Sequence, residues 1–125
     1  GKYTTAIYRA EFKNDKLKPF VKLLTIYLEK LTTFTNWIKD KIQNSKDDAN
    51  AASNDYLKVL GLVAVGYSWF KVLQVSFNDY ENNKNFYEDT IQTANFFFKR
   101  VLPRIDTHCS SAMSGSKYIM DFKFN

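Results

Sequence analysis

The chain has 125 residues, of which 45% are hydrophobic and 17% are aromatic, enough for the core of a single domain. It contains only 4 Gly and 2 Pro, which argues against a β-sandwich with many tight turns. The net charge of +5 would suit an anionic partner. The basic residues are dispersed, however, apart from one loose group at Lys13, Lys16, Lys18 and Lys22. A solvated surface is therefore favoured over nucleic-acid binding.

Residues 1–15 show no clean period and are predicted to form a connecting arm or a short helix, whereas residues 16–125 are predicted to form the bundle domain. The initial Gly1 is what an excised fragment or a cleaved tag would leave. A first long helix is predicted from near Leu17, with Pro19 in its first turn, where the missing N–H is harmless. Its apolar residues recur at three- and four-residue steps: Leu17, Val21, Leu24, Leu28, Leu31, Phe34, Ile38 and Ile42. The polar residues 45–54 are predicted to form a loop.

The second helix is predicted over residues 55–78, and its apolar residues fall on every side of the helical wheel. Such a helix must be covered from several directions. A membrane-spanning helix needs about 20 apolar residues, so the charge-free run between Lys58 and Lys71 is too short, and no transmembrane segment is expected. Gly61 and Gly66 predict close helix packing, since each costs roughly 1 kcal/mol relative to Ala. Either this helix lies at the centre of the bundle, or part of it is covered by protein outside the chain, in which case an apolar patch beside it should be exposed.

The third helix is predicted to start at Asn85, because Asn85 and Glu88 have the spacing of a capping box. The preceding residues 78–85 are predicted to be a loop. Pro103 interrupts the helical pattern, yet the apolar phase continues to Cys109 and Met113, so a kinked continuation and a break before a fourth helix both stay open. The sequence therefore predicts an all-α, up-down four-helix bundle with a kink or break near Pro103, and a final apolar patch at Tyr118, Ile119, Met120 and Phe122.

No constellation of side chains in the sequence predicts catalysis, cofactor binding or metal binding. His108 and Cys109 are adjacent, and adjacent helical residues point in different directions, so Cys109 is interpreted as core and His108 as a solvated or capping residue. One His and one Cys cannot close a zinc site. Asp79, Glu81 and Asn83 alternate as in a calcium loop, but the glycine and the bidentate Glu of such a loop are missing. The lone cysteine is typical of a reducing compartment, and a cytoplasmic location is expected.

One candidate binding surface lies on the third helix. Phe96 is predicted to point away from the core, among polar residues, while Phe97 and its neighbour Phe98 flank or join the core face. A lone exposed aromatic residue is common, but aromatic residues are also enriched at interface cores. Phe96, Phe97 and Arg100 are therefore predicted to form a docking surface for another domain or subunit.

Three parts of the sequence carry a family resemblance. The run YLKVLGLVAVGY at residues 56–67 resembles a signature of the C-terminal helical domain of long-form acyl-CoA dehydrogenases. Residues 86–87 (FY) and 93–103 (TANFFFKRVLP) are similar to the helix of that family that ends in an aromatic pair and Val-Leu-Pro. The tail, with Gly115 and then Met120-Asp121, is similar to the family's ending.

The resemblance implies a helical bundle appended to a flavoenzyme that oxidises the Cα–Cβ bond of an acyl-CoA thioester with FAD. It implies upstream catalytic domains in the same chain, an acyl-CoA substrate for the parent enzyme, and a homo-oligomer. The catalytic base and the main flavin contacts of such enzymes lie upstream, so no catalytic residue is carried over and no cofactor is expected on these 125 residues. The alternative is a stand-alone helical protein-interaction module without catalysis.

Overall fold

A computed structural model describes residues 15–113, which are helical almost throughout and include no strand. The 3-10 turn Asp15–Leu17 leads into α1 (Lys18–Asn44), and α2 (Lys46–Asn78) follows after a single residue. The 3-10 turn Tyr80–Asn82 precedes α3 (Lys84–Phe96), which passes into a π-helical segment, Phe97–Val101. Residues 104–113 are again helical. The predicted all-α class is confirmed, whereas four helices are not established, since only three α-helices have both ends in the described part.

The predicted first helix is confirmed, including Pro19 in its first turn. It buries a continuous apolar face that includes Val21, Leu24 and Phe34. Ile42 was predicted to belong to this face, but its side chain is 55% exposed because the last turn extends beyond the core.

The predicted loop at residues 45–54 is wrong. Only Ser45 lies outside a helix, and its N–H donates to the Lys41 carbonyl at 2.7 Å, which closes the last turn of α1. Asp47 and Asp48 occupy the first turn of α2, where carboxylates favour the positive end of the helix dipole. Ala49 and Ala52 are buried, so this polar stretch has an apolar face of its own.

The start of the third helix also differs from the prediction. The cap is Asn83, whose side-chain oxygen accepts from the Phe86 N–H at 3.3 Å, and the helix is already formed at Asn85. Asn83 has an extended backbone, with φ −157° and ψ 76°, as an N-cap residue requires. The capping box at Asn85 and Glu88 is therefore wrong by two residues.

Pro103 lies at a break. The Leu102 N–H donates to the Phe97 carbonyl at 2.9 Å, the five-residue step of a π-helix. Residues 102 and 103 form a turn, after which the Asp106 N–H donates to the Pro103 carbonyl at 3.0 Å and the chain becomes helical again. Leu102 and Ile105, on either side of the proline, are both fully buried.

The core lies between α1, α2 and the chain that follows α3. Phe34 packs edge-on against Tyr56 of α2, with ring centroids 5.2 Å apart. Phe20 packs edge-on against Phe98, also at 5.2 Å. These two aromatic pairs fasten α1 to both of its neighbours. Residues 1–14, with most of the predicted arm, and residues 114–125, with the predicted final apolar patch, lie outside the described residues.

Candidate docking surfaces

Phe96 is exposed, and its neighbour Phe97 is not. The Phe96 side chain is 60% exposed at the end of α3, where Asp89, Gln92 and Arg100 are also exposed. Phe97 is 8% exposed and Phe98 is fully buried. The prediction that Phe97 helps to form the docking surface needs correction, because its ring is buried against the core. We call Phe96 and Arg100, with the exposed Asp89, Gln92 and Lys99 around them, the Phe96 surface.

The ring of Phe97 packs against α2 at Gly66. A Cβ placed on Gly66 would lie 3.3 Å from the Leu24 and Leu102 side chains and 3.6 Å from the Phe97 ring. The absence of a side chain on Gly66 thus lets α1 and the π-segment approach α2 closely. The predicted close packing at Gly66 is confirmed.

Gly61 has the opposite surroundings. A Cβ placed there would have nothing within 4 Å. The prediction that Gly61 packs closely against a neighbouring helix is therefore wrong for the described residues of this chain.

One face of α2 is apolar and exposed. Its side chains share one side of the helix at three- and four-residue steps, and we call them the α2 stripe: Leu57, Gly61, Ala64, Val65, Ser68, Val72 and Val75. The larger side chains of the stripe are 40–63% exposed. The apolar patch that the sequence predicts beside this helix is present.

The stripe adjoins a cleft between α2 and α3. The cleft has a volume of about 380 Å³, and its walls include Val72, Val75 and Phe86. Phe86 is itself 60% exposed. The apolar surface of α2 therefore extends onto the start of α3.

By length and composition alone, α2 could cross a membrane. It is the one helix among residues 15–113 that is long and apolar enough to do so, and 33% of its most apolar 18-residue stretch is buried. Core helices of soluble proteins satisfy the same criterion, so this is weak evidence for a membrane span.

A polar cluster fastens the residues after Pro103 to α1. The Tyr27 hydroxyl donates to one carboxylate oxygen of Asp106 at 3.1 Å, and the Lys30 ammonium binds the other. Lys30 also lies over the Tyr27 ring, 5.2 Å from its centroid. Burial, followed by the hydrogen bond to Asp106 and by the charge of that carboxylate, raises the pKa of Tyr27 to about 12. Such a hydroxyl stays protonated at physiological pH, so the cluster is a structural contact.

His108 pairs with Asp55 at the other side of the same segment. Its Nδ1 lies 2.9 Å from the Asp55 carboxylate, 53 residues away in the chain, and both side chains are mostly buried. The prediction that His108 is solvated or a cap is therefore wrong. Cys109 packs against the core as predicted. Burial is the main cause that raises the pKa of the Cys109 thiol, which disfavours the nucleophilic thiolate.

Two of the three alternating residues that resemble a calcium loop, Asp79 and Asn83, hold the start of α3. Tyr87 donates to the Asp79 carboxylate at 2.6 Å, and the Asn82 side chain donates to it as well. These two hydrogen bonds lower the pKa of Asp79. Asn83 caps the helix. Within residues 15–113, no three His, Cys, Asp or Glu side chains are grouped so as to hold a metal ion.

The described cavities do not fit a flavin. They are open clefts on one or two helices, and the walls of the most enclosed, about 330 Å³ between α1 and α2, are largely aliphatic. Its polar side chains are Tyr67 and Ser68, and the Ser68 hydroxyl donates to the Ala64 carbonyl of its own helix. The open cleft on the first turns of α1 has Lys18, Lys22 and Thr25 in its walls, but all of its lining residues, including Glu29, lie on this one helix.

Comparison with known proteins identifies the family. The model of the family described as acetyl-CoA dehydrogenase C-terminal like matches residues 4–123. No curated protein and no solved structure matches the chain. The match extends over nearly the whole chain. It includes residues 56–67, around Gly61, and residues 86–103, which end at Pro103, and both of these segments resemble the family in sequence. The chain therefore belongs to the acetyl-CoA dehydrogenase C-terminal-like family.

Proposed function

We propose that this chain is the C-terminal domain of an FAD-dependent acyl-CoA dehydrogenase and acts by packing on the catalytic body of that enzyme. The family match over residues 4–123 carries the proposal. In the parent, upstream domains bind FAD and the acyl-CoA thioester and supply the catalytic base. A cytoplasmic location for the parent is part of the same proposal.

The features of the described surface favour a packing role. The ionisable clusters at Asp106, Asp79 and His108 are all engaged in holding one helix to another. In contrast, Phe96 exposes a large ring to solvent. Burial of an aromatic ring at an interface core stabilises association, so we assign the Phe96 surface to docking on the upstream domains.

The test is expression of the full-length parent, followed by its flavin absorbance and the bleaching of that absorbance by a panel of acyl-CoA thioesters. We expect a flavin spectrum in the parent and bleaching by at least one thioester. The 125-residue chain alone serves as the control and is expected to show neither. A parent that purifies without flavin and is not reduced by any thioester would contradict the proposal.

The second candidate is a stand-alone interaction module, which the exposed apolar α2 stripe favours. The two candidates predict different contents for the open reading frame that encodes the full-length protein. An acyl-CoA dehydrogenase places several hundred residues upstream of this domain, whereas a stand-alone module has no catalytic domains in the same polypeptide. The sequence of the parent reading frame decides between them.

We also propose that the helical residues 104–113 belong to the fourth helix of an up-down bundle. Support comes from Ile105, which is fully buried, and from the contacts of Asp106 and His108 with α1 and α2. A crystal structure of the domain should show this segment antiparallel to α3. A segment that lies across the ends of the other helices would contradict the bundle.

A further inference from the structure

We propose that residues 1–14 fold back along α1 and lie antiparallel to it, in the open cleft on the outer side of that helix. We call this cleft the α1 groove. The described residues in its walls are Lys18, Pro19, Val21, Lys22, Thr25, Ile26 and Glu29. The proposal concerns contacts of the chain with itself and does not depend on the activity of the parent enzyme.

The first argument is the α1 groove itself. Its volume is about 630 Å³, and every described residue in its walls lies on α1. Ile26 lies in the groove with 39% of its surface exposed. No other element of residues 15–113 contributes a wall to this groove, so a covering segment has to come from outside the described residues.

The second argument is the hydroxyl of Thr25. Its oxygen is buried, yet it has no hydrogen-bond partner among residues 15–113. The Thr32 and Thr35 hydroxyls, also on α1, donate to the carbonyl four residues earlier, at 3.0 and 2.8 Å. A buried hydroxyl without a partner destabilises a fold. A polar group that enters the α1 groove beside Thr25 would satisfy this hydroxyl.

The third argument is the place where residues 1–14 join the described chain. The 3-10 turn Asp15–Leu17 directly precedes α1, and Lys18 and Pro19 already lie in the groove. Short loops of this kind join antiparallel neighbours. From Lys18 to Glu29 the groove is about 17 Å long at 1.5 Å per residue. Residues 1–14 span about 21 Å at the same rise, so they reach its far end.

The fourth argument is the register that this turn imposes. A reversal of the chain between Lys16 and Leu17 places four residues before the turn opposite four residues of the groove. The four residues before the turn follow the steps i, i+3, i+4 and i+7, which share one side of a helix: Thr4, Ile7, Tyr8 and Glu11. The four residues that they face have the same spacing: Glu29, Ile26, Thr25 and Lys22.

The two central pairs of this register are complementary in shape and in hydrogen bonding. Ile7 faces the exposed Ile26 and covers its apolar surface. Tyr8 faces Thr25, and a phenol both donates and accepts hydrogen bonds. The Tyr8 hydroxyl therefore gives the buried Thr25 oxygen the partner that residues 15–113 do not provide.

The two outer pairs are complementary in charge and polarity. Lys22 and Glu29 form no ion pair within residues 15–113. In the antiparallel register, Lys22 faces the carboxylate of Glu11. At the far end, the Thr4 hydroxyl faces Glu29 and can donate to its carboxylate. All four pairs thus favour the same register.

Cross-linking of the 125-residue chain tests the position of residues 1–14. In a Cys109→Ala background, Thr4→Cys combined with Glu29→Cys should form an intramolecular disulfide under mild oxidation, because this pair lies at the end of the groove far from the turn. The control combines Thr4→Cys with Thr90→Cys in the cleft between α2 and α3 and should stay reduced. A reduced Thr4–Glu29 pair, or a disulfide at position 90, overturns the proposal.

Two further chains identify other occupants of the α1 groove. Glu29→Cys alone should stay monomeric on oxidation, and a disulfide-linked dimer would assign the groove to a second copy. Glu29→Cys combined with Ile119→Cys should stay reduced, and a disulfide there would assign the groove to the last residues of the chain. Either result would overturn the proposal.

Thermal unfolding of the 125-residue chain tests the central hydrogen bond. Tyr8→Phe should lower the thermal midpoint by about 2–6 °C, because Thr25 loses its partner. In a Thr25→Val background the same substitution should have almost no effect, since no hydroxyl is left to pair. Tyr3→Phe removes the same group from a position off the contacting side and is the matched control. An equal loss from Tyr8→Phe in both backgrounds would contradict the pairing.

Charge reversal tests the register. Glu11→Lys and Lys22→Glu should each lower the thermal midpoint by about 1–4 °C, and the double variant should recover most of the loss. Glu88→Lys changes an exposed residue on α3, and in combination with Lys22→Glu it should recover nothing. A double variant of Glu11 and Lys22 in which the two losses simply add would overturn the register.

Discussion

Gly61 and Gly66 lie five residues apart on the same helix and have opposite roles. Gly66 is buried where α1 and the π-segment converge, with side chains 3.3 Å from the position of its missing Cβ. A Cβ placed on Gly61 would have no atom of residues 15–113 within 4 Å. The sequence indicates that both positions are unusual, but only the three-dimensional arrangement shows which of them the fold itself requires.

Gly66→Leu is expected to lower the free energy of unfolding by about 1–3 kcal/mol, because the added atoms would overlap the side chains of Leu24 and Leu102. Chemical denaturation of the 125-residue chain measures the change. Gly61→Leu is the matched control and should not destabilise the monomer. An unchanged denaturation midpoint for Gly66→Leu would contradict the close-packing account.

Tyr27→Phe is expected to destabilise the fold by roughly 1–2 kcal/mol near neutral pH, through loss of the hydrogen bond to Asp106. Since the folded pKa of Tyr27 is raised to about 12, the hydroxyl contributes fully below its ordinary pKa of about 10. Its contribution falls as the pH rises from about 10 to about 12.

Urea unfolding of both proteins along a pH series measures this difference. The difference in the free energy of unfolding between the native chain and Tyr27→Phe should become smaller as the pH rises. A difference that stays constant through this range would show that the hydroxyl does not titrate in the folded state as proposed.

The polar contacts at the residue scale could not be predicted from the sequence. His108 pairs with Asp55 across 53 residues, and Tyr27 bonds Asp106 across 79. No local sequence pattern links residues so far apart. Residues of these types also occur on helix faces that are exposed to solvent, so their presence alone does not predict a pair. The aromatic residue on the polar side of α3 could be predicted, because the wheel places Phe96 away from the core, and its side chain is exposed.

At the scale of elements, the periodic helices could be predicted and their ends could not. The apolar repeat of α1 is long and regular, so its core face is largely as expected. The start of α2 cannot be predicted from local propensity, because Asn, Asp and Ser have weak helix propensity. Burial of Ala49 and Ala52 against the rest of the fold outweighs that local preference.

The cap of α3 makes a direct test possible. Asn83→Ala is expected to destabilise the chain by about 1 kcal/mol, because the Phe86 N–H loses its acceptor. Asn85→Ala should have little effect, since this residue lies within the helix and is exposed. Thermal unfolding of the two variants distinguishes them. A larger loss of stability for Asn85→Ala than for Asn83→Ala would show that the cap is Asn85, as the sequence alone predicts.

At the scale of the whole molecule, residues 15–113 expose two distinct surfaces. The Phe96 surface lies at the end of α3, while the α2 stripe runs along α2 from Leu57 to Val75. The first combines an aromatic ring with charged neighbours, whereas the second is apolar and uncharged. Two surfaces of such different chemistry suit two different partners.

Phe96→Asp is expected to leave the isolated domain folded, because the ring is 60% exposed, and to weaken its docking on the upstream domains. The thermal midpoint of the isolated domain gives the first measurement, and limited proteolysis of the predicted connecting arm, residues 1–15, in the full-length parent gives the second. Glu88→Asp changes an exposed residue on α3 and serves as the control. A sharp fall in the thermal midpoint would show that Phe96 belongs to the core.

The single-residue connection at Ser45 has a consequence for the order of folding. Because α1 and α2 are joined by one non-helical residue, closing their hairpin costs little chain entropy. The contact between Phe34 and Tyr56 can therefore form before the distant contacts of the residues after Pro103. We expect Phe34→Leu to slow refolding in stopped-flow measurements, and Ile105→Val to accelerate unfolding instead. A hairpin that closes first would give the later part of the chain a preformed surface on which to fold.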